Sequence, residues 1–390
     1  MASLPSPWRS LWSIDPQITF LNHGSFGACP IAVQQKQQWW RQRLEQDPMR
    51  FYVLDYEELL DRSRQALAAF VGADPADLVF VPNATTGVNA VLRSLDLRSG
   101  DELLTTSHEY NASRNALEFV AAQVGATVVV ADIPFPIADA EQVKAAIFAK
   151  VSARTRLLLI DHVTSQTGLV MPIASILPTL AAEGIETLVD GAHAPGMLPL
   201  NLANLGATYY TGNAHKWLCA PKSAAFLYVE RLRQDQIRPL AISHGANSPR
   251  QDRSRFQLEF DWTGTPDPSA MLSVPTAIDY LGSLLPGGWP ELMQHNRQLA
   301  IAARRLLCDV LEVPPPCPET MLGAMAVLPL PDGDWKTLYQ QLVDRFAIQV
   351  QIMPWPQSPQ RILRISAQLY NQLADYAYLA EALKEVMSSR

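Results

Sequence analysis

The chain is 390 residues long and 48% hydrophobic, with a formal net charge of −7. That length supports a large core and two units of unequal size, and the negative charge argues against nucleic acid as a partner. The four cysteines, at 29, 219, 308 and 317, form no CxxC pair, which speaks against a zinc site and a disulfide framework and suits a reducing cytoplasm.

Residues 1–16 read as an N-terminal arm; its opening, MASLPSPWRSLW, lacks the uninterrupted apolar run of a signal peptide. Residues 33–71 interleave charged and apolar residues with few breakers and predict helix. Within them the arginines of WWRQR (39–43) suit an exposed helical face, and Trp39 and Trp40 suit a core or an interface. Short β-rich runs then recur at Leu78–Val81, Glu102–Thr106, Thr127–Val130, Arg156–Ile160, Thr187–Val189, Thr208–Tyr210 and Ala224–Val229. Helix-compatible segments such as Ala112–Val124 and Ala138–Val151 separate most of them. This alternation predicts an α/β fold, with a mostly parallel seven-stranded sheet flanked by helices. The close spacing of the last two runs predicts an antiparallel pair at the sheet edge. The uncharged stretch His162 to Ala182 holds two prolines and several polar residues and does not read as a membrane span. A polar stretch, SHGANSPRQDRSRF (243–256), breaks the alternation; Arg250, Arg253 and Arg255 suit a solvated loop or a lid that recognises a second substrate carboxylate. A helix-rich segment at 270–312, a proline-rich joint at Val313–Pro316 and α+β material complete the chain. These breaks predict a large domain over 17–260 and a smaller α+β C-terminal domain over 261–390.

In parallel sheets, ligands bind beyond the carboxyl ends of the strands. The run Thr187–Val189 leads into Asp190-Gly191-Ala192-His193, and the run Thr208–Tyr210 leads into TGNAHKW, which contains Lys216. A lysine buried beside cationic groups can lose its proton and form a Schiff base with an aldehyde. A carboxylate one strand over can hold a pyridine nitrogen protonated, which turns the ring into an electron sink. Each residue alone also suits a blander role, Asp190 as a helix cap and Lys216 as a surface charge. A third segment weighs against that: NATTGVN (83–89) follows the strand Leu78–Val81 and opens an apolar helix, offering backbone N–H groups and hydroxyls to a phosphate. The seven histidines show no HExxH or similar spacing, so no metal site is expected.

These segments, with SHEYNA (107–112), DHVTSQTG (161–168), DGAHAPG (190–196), HKW (215–217) and WTGTPD (262–267), resemble class V of the fold-type I pyridoxal-phosphate enzymes. The opening LNHGSFGACP (21–30), with NATTGVN and HEYNA, is most similar to isopenicillin N epimerase-like proteins. The resemblance implies pyridoxal 5'-phosphate as cofactor, with Lys216 as the Schiff-base lysine and Asp190 as the partner of the ring nitrogen. It implies that His193 touches the ring hydroxyl and that His108, or the nearby Tyr110, stacks on the ring. Ala84, Thr85, Thr86 and His215 match the phosphate site, and Asn213 stands where many relatives carry a serine. Thr265 matches a threonine that reaches the phosphate of a neighbouring subunit, implying a homodimer with shared active sites. Arg364, in LRISAQLYN, matches the arginine that grips the substrate carboxylate, with Ser165 beside the substrate; a guanidinium suits a carboxylate through two parallel hydrogen bonds. Arg50 resembles a further position near the site.

Cysteine desulfurases of this class need a nucleophilic cysteine on a loop before the arginine motif, but residues 347–355 read AIQVQIMPW. A thiolate mechanism is therefore not expected, which leaves proton chemistry at the α-carbon with Lys216 as general base. The leading expectation is an isopenicillin N epimerase-like enzyme acting on an amino acid or amino-acid conjugate. The alternatives are a C–S lyase acting on a cysteine conjugate or its sulfoxide, an aminotransferase, and a non-catalytic cofactor-binding protein. A small-molecule amino-acid substrate, a cytoplasmic location and no membrane partner complete the expectation.

Overall fold

The computed structural model describes residues 6–388; residues 1–5 of the expected arm lie outside the described residues. Seven strands form the main sheet, in the spatial order Leu78–Val81, Ala225–Val229, Tyr209–Asn213, Glu186–Asp190, Thr155–Asp161, Glu102–Thr106 and Thr127–Ala131. The last five of these run parallel, and Ala225–Val229 runs antiparallel to both of its neighbours. The predicted strands and the mostly parallel sheet are therefore present. The edge assignment needs correction: Ala225–Val229 lies inside the sheet because Leu78–Val81 pairs along its outer side.

Apolar runs such as Leu157–Ile160 and Leu188–Val189 are buried on both faces of the sheet. Residues such as Leu158, Ile160 and Val189 point into one core, which also holds Leu177 and Leu180. Their neighbours Leu157, Leu159 and Leu188 point into another, with Val88 and Leu117. Continuous hydrophobicity is what a parallel strand covered by helices on both sides requires. The helical stretch at 33–71 is broken where Asp47 caps a new turn at Pro48, accepting from the Arg50 N–H at 3.0 Å. The main helices there are Ile31–Gln46 and Tyr56–Val71.

A second sheet, antiparallel, joins Gln351–Pro354, Arg361–Ser366 and Met325–Leu330; the helix Gly288–Leu311 packs against it, and Leu373–Ser388 packs on that helix. Residues 19–21 tie the N-terminal region to it. Thr19–Phe20 pairs in parallel with Ile348–Gln349, and the Ser366 N–H donates to the Leu21 carbonyl at 2.9 Å. Residues 22–27 thus run between the small sheet and the carboxyl ends of the main one. Among the described residues no helix is long and apolar enough to cross a membrane.

Candidate active site

A cavity of about 170 Å³ opens where the central strands end, lined among others by Thr85, Tyr110, Asp190, His193, Asn213 and Lys216. Asp190 is the last residue of Glu186–Asp190, and Lys216 follows Tyr209–Asn213, its parallel neighbour. Two glycines let the lysine loop pack tightly. A Cβ on Gly27 would lie 2.2 Å from the His215 carbonyl oxygen, and one on Gly196 2.4 Å from the Trp217 carbonyl carbon.

The Lys216 Nζ lies 3.1 Å from His193 Nε2. On the other side of that ring, the Trp217 indole donates to His193 Nδ1 at 3.3 Å. Burial, then the nearby Arg364, pushes the Lys216 amine down to about 8, with Asp190 and Asp161 pulling the other way. Burial and the surrounding cations Lys216 and Arg364 hold His193 neutral, well below its ordinary range.

The Asp190 carboxylate accepts from the Ser113 hydroxyl at 2.7 Å and from the Ala192 N–H at 3.0 Å. Burial raises its pKa, while those two donors and Lys216 oppose the rise. Arg364 is buried too. Its guanidinium donates to the Ser165 carbonyl, to Asn22 Oδ1 at 3.2 Å and to the Ser25 hydroxyl at 2.9 Å, and its Nε has no partner among the described residues. Burial lowers it to about 10, with the Tyr110 phenol near enough to oppose that shift. All its partners are neutral, so its charge is available to an anion. Ser25 and Ser165 both line the cavity.

At the start of helix Ala84–Leu92 the expected phosphate groups separate. The Ala84 N–H donates to Asn213 Oδ1 at 2.9 Å, so Ala84 lines the cavity with its amide already engaged. That bond fixes which end of the Asn213 amide is oxygen and leaves its NH2 without a partner among the described residues. Thr86 N–H and Oγ1 both bond to Asn83 Oδ1, and Thr86 faces a neighbouring apolar cavity with Phe80 and Phe260 rather than the lysine. Thr85 remains as the lining residue of this turn with a hydroxyl to offer. His215 Nδ1 sits 3.1 Å from the Ala224 carbonyl, so Nδ1 carries the proton; burial lowers the ring to about 4.

His108 needs correction as a cavity residue. Its ring is fully buried and turned away, with Nδ1 at 2.8 Å from Thr167 Oγ1, Nε2 at 3.1 Å from the Ile133 carbonyl, and an edge contact to Trp355. Tyr110, two residues on, lines the cavity. Thr265 is exposed and does not line this chain's cavity, nor does the exposed Arg50. The polar-stretch arginines are paired: Arg250 with Glu57 and Asp252, Arg253 with Asp61, Arg255 with Glu259. Each of the three is thus already engaged by a carboxylate of its own chain. Trp40 is buried and donates to the Leu272 carbonyl at 3.0 Å.

Sequence reasoning assigned no role to His23, Asn22 or Ser25. His23 Nε2 lies 3.0 Å from the Lys216 carbonyl oxygen and its Nδ1 2.8 Å from the Tyr370 hydroxyl, so it braces the lysine loop. Their signal was the LNHGSFG segment, which carried only the likeness. Glu109 and Asp161 were also missed, and both are buried next to Asp190.

A buried amine and carboxylate at adjacent strand ends of this sheet define the fold-type I frame. The chain belongs to the aminotransferase class-V family, whose profile matches residues 52–354. It is 35% identical to the isopenicillin N epimerase of Streptomyces clavuligerus, covering 96% of both chains. It is 30% identical to a putative L-cysteine desulfhydrase of Oryza sativa subsp. japonica, covering 94% of this chain and 83% of that one. The solved structure of the cystine C–S lyase C-DES with cysteine persulfide superposes with a TM-score of 0.80 at 22% identity, covering 94% of this chain and 97% of that one.

Proposed function

We propose that the protein is a pyridoxal 5'-phosphate enzyme that removes and returns the α-proton of an amino acid or amino-acid conjugate, in the manner of an isopenicillin N epimerase. The observation that carries this reading is the buried Lys216 amine, pushed down to about 8 beside the neutral His193 ring. The residues present fit the cofactor. Asp190 is a buried carboxylate whose direct hydrogen-bond donors are neutral, and Arg364 a buried guanidinium with neutral acceptors. A ring pyridinium complements the first and a substrate carboxylate the second.

In this reading Lys216 holds the aldehyde carbon, Asp190 the ring nitrogen, His193 the ring hydroxyl and Tyr110 the ring face. Thr85, the Asn213 NH2 and His215 would hold the phosphate, whose negative charge would favour the protonated form of His215. When bound, the cofactor supplies an electron sink that acidifies the α-proton. Lys216 Nζ takes that proton, and its lowered pKa keeps the free base accessible near neutral pH. Arg364 fixes the substrate carboxylate and with it the direction of the Cα–H bond. Tyr110 follows the strand Glu102–Thr106 and Lys216 the strand Tyr209–Asn213, with Asp190 on a strand between them. A proton returned by Tyr110 reaches Cα from another direction than one returned by Lys216, as inversion requires.

β-Elimination from a cysteine conjugate is the second reading. It is favoured by the likeness to the putative L-cysteine desulfhydrase of Oryza sativa, and among the described residues no thiol lines the cavity to capture the departing sulfur. The two readings part in deuterated solvent. Epimerisation puts deuterium at Cα with inversion and no loss of substrate, whereas elimination releases pyruvate and ammonia. Candidate amino acids that show neither outcome would defeat both.

A homodimer is part of the proposal. Met49, Val53 and Leu54 are exposed large apolar residues, and the Tyr52 hydroxyl bonds to the Pro266 carbonyl at 2.5 Å, placing Thr265 beside them. Such a patch suits a subunit interface, across which Thr265 reaches the partner's phosphate. Sedimentation of the holoenzyme as a monomer would remove this part. A reducing, cytoplasmic setting fits the four unpaired cysteines.

A further inference from the structure

Three carboxyl groups meet beneath the cavity. Glu109, Asp161 and Asp190 are 6%, 3% and 1% exposed, and each places an oxygen within 4.8 Å of the other two. Asp161 and Asp190 are register partners on adjacent parallel strands, and Glu109 follows the next strand, Glu102–Thr106. None of the three is in a salt bridge among the described residues. The titratable groups that face them are Lys216 beside Asp161 and Asp190, Arg114 beside Glu109, and the Tyr210 phenol beside Asp190.

Three buried like charges at this separation cannot coexist, so the question is where the protons sit. Asp190 has the strongest set of donors to an anion, the Ser113 hydroxyl at 2.7 Å and the Ala192 N–H at 3.0 Å. Asp161 has a single amide, the Tyr110 N–H at 3.1 Å on Oδ2. Glu109 Oε2 accepts from the Thr105 hydroxyl at 3.2 Å, but Oε1 is buried with no partner among the described residues. A bare buried carboxylate oxygen is costly. A proton on it, pointed at a neighbouring carboxylate, removes the cost and turns repulsion into a hydrogen bond.

We infer that Glu109 is a positioning residue, a neutral acid that donates its Oε1 proton into the Asp161–Asp190 pair; with a second proton on Asp161, the single negative charge of the cluster is confined to Asp190. Burial and the neighbouring carboxylates raise both Glu109 and Asp161 well above the ordinary carboxylate range, in the same direction. The function follows from the site: the ring nitrogen meets one anion of fixed position and moderated basicity. That last step rests on the cofactor reading above.

Infrared spectroscopy of the purified protein at neutral pH, with and without its cofactor, tests the protonation directly. Wild type should show a carboxylic-acid carbonyl stretch that loses intensity in Glu109→Gln, whether or not cofactor is bound. No difference between the two proteins would overturn the inference even if the cofactor reading stands. A stoichiometric divalent cation found by metal analysis would overturn it as well. The link to the site is read from the pH at which the visible absorbance of the lysine-bound cofactor changes. Glu109→Ala deprives the Asp190 cluster of a donor and makes it more basic, so the transition should move up by on the order of one pH unit. Glu109→Gln keeps a neutral donor and should stay at the wild-type position. An unmoved Glu109→Ala, or a Glu109→Gln shifted downward as the loss of a negative charge requires, would overturn the role. Purified protein without visible absorbance would instead defeat the cofactor reading and leave the infrared result to stand by itself.

Discussion

His193 Nε2 lies 3.1 Å from Lys216 Nζ, and the Trp217 indole decides what that contact means. An indole nitrogen only donates. His193 Nδ1 must therefore accept, which puts the proton of the neutral ring on Nε2. That N–H points at Lys216 and needs a lone pair there, so the arrangement describes the free-base amine, the form that dominates above about pH 8.

The amine should react accordingly. Cofactor-free protein should take up pyridoxal phosphate at a rate that rises with pH through a midpoint near 8, because only the unprotonated amine attacks. His193→Ala removes a hydrogen bond to the neutral form and opens the site to water, and both changes raise the lysine's pKa. The midpoint should move toward the ordinary lysine range. Stopped-flow absorbance across a pH series measures both proteins, and an unmoved midpoint would mean that His193 does not set the state of Lys216.

Arg364 should act on substrate rather than on cofactor. Its hydrogen-bond partners Asn22, Ser25 and Ser165 are neutral. Arg364→Ala should raise KM by about 10- to 100-fold, the cost of losing charge-assisted hydrogen bonds to a carboxylate. The visible absorbance of the bound cofactor should not change. Arg364→Lys should recover only part of the loss, since one ammonium cannot reproduce the planar fork. Steady-state kinetics with an acid substrate and its amide separate the effects: the amide should be nearly indifferent to both substitutions.

Tyr110 and His108 should part company. Tyr110→Phe keeps a ring in the cavity and removes the hydroxyl, so α-deuterium exchange by Lys216 should continue while inversion falls by about 100-fold. His108→Ala removes a buried ring that bonds to Thr167 and to the Ile133 carbonyl. It should cost about 2 kcal/mol of stability with little change in cofactor absorbance. Chiral chromatography and thermal melts read the two outcomes.

The contrast between these two residues shows what a linear sequence can carry. Strand ends were legible because the apolar runs are continuous and end in polar residues, which placed Asp190 and Lys216 at the cavity. The direction of a side chain just past a strand end depends on the turn that follows. His108 and Tyr110 lie only two positions apart, yet one ring packs against Trp355 and the other lines the cavity. Contacts between segments far apart in sequence were not legible either. The antiparallel pairing of Tyr209–Asn213 with Ala225–Val229 could be read from their closeness, but the closing of Leu78–Val81 onto the outer side could not. The same holds for Arg364 bonding to Asn22 and Ser25, because no local pattern encodes a pairing across the whole chain.

One such long-range contact can be tested without touching a functional group. Gly27 has φ +69°, and a Cβ there would lie 2.2 Å from the His215 carbonyl oxygen and 2.9 Å from Lys216 Cα. Gly184 has φ +74° with nothing within 4 Å of its would-be Cβ. Alanine at either position is strained by its positive φ, and more so at Gly27, whose ψ of 164° lies in a region open essentially to glycine alone. Only Gly27→Ala also drives a methyl group into backbone, which has no rotamer by which to retreat, and overpacking of that kind brings the total to about 3 kcal/mol. Because the displaced backbone is that of the lysine loop, Gly27→Ala should also weaken cofactor retention and alter the absorbance of the bound form, whereas Gly184→Ala should lower the melting temperature slightly and leave the spectrum alone. Dialysis followed by absorbance, run beside thermal melts, compares the two. Equal spectra would mean that the loop can shift away from residue 27 without moving Lys216.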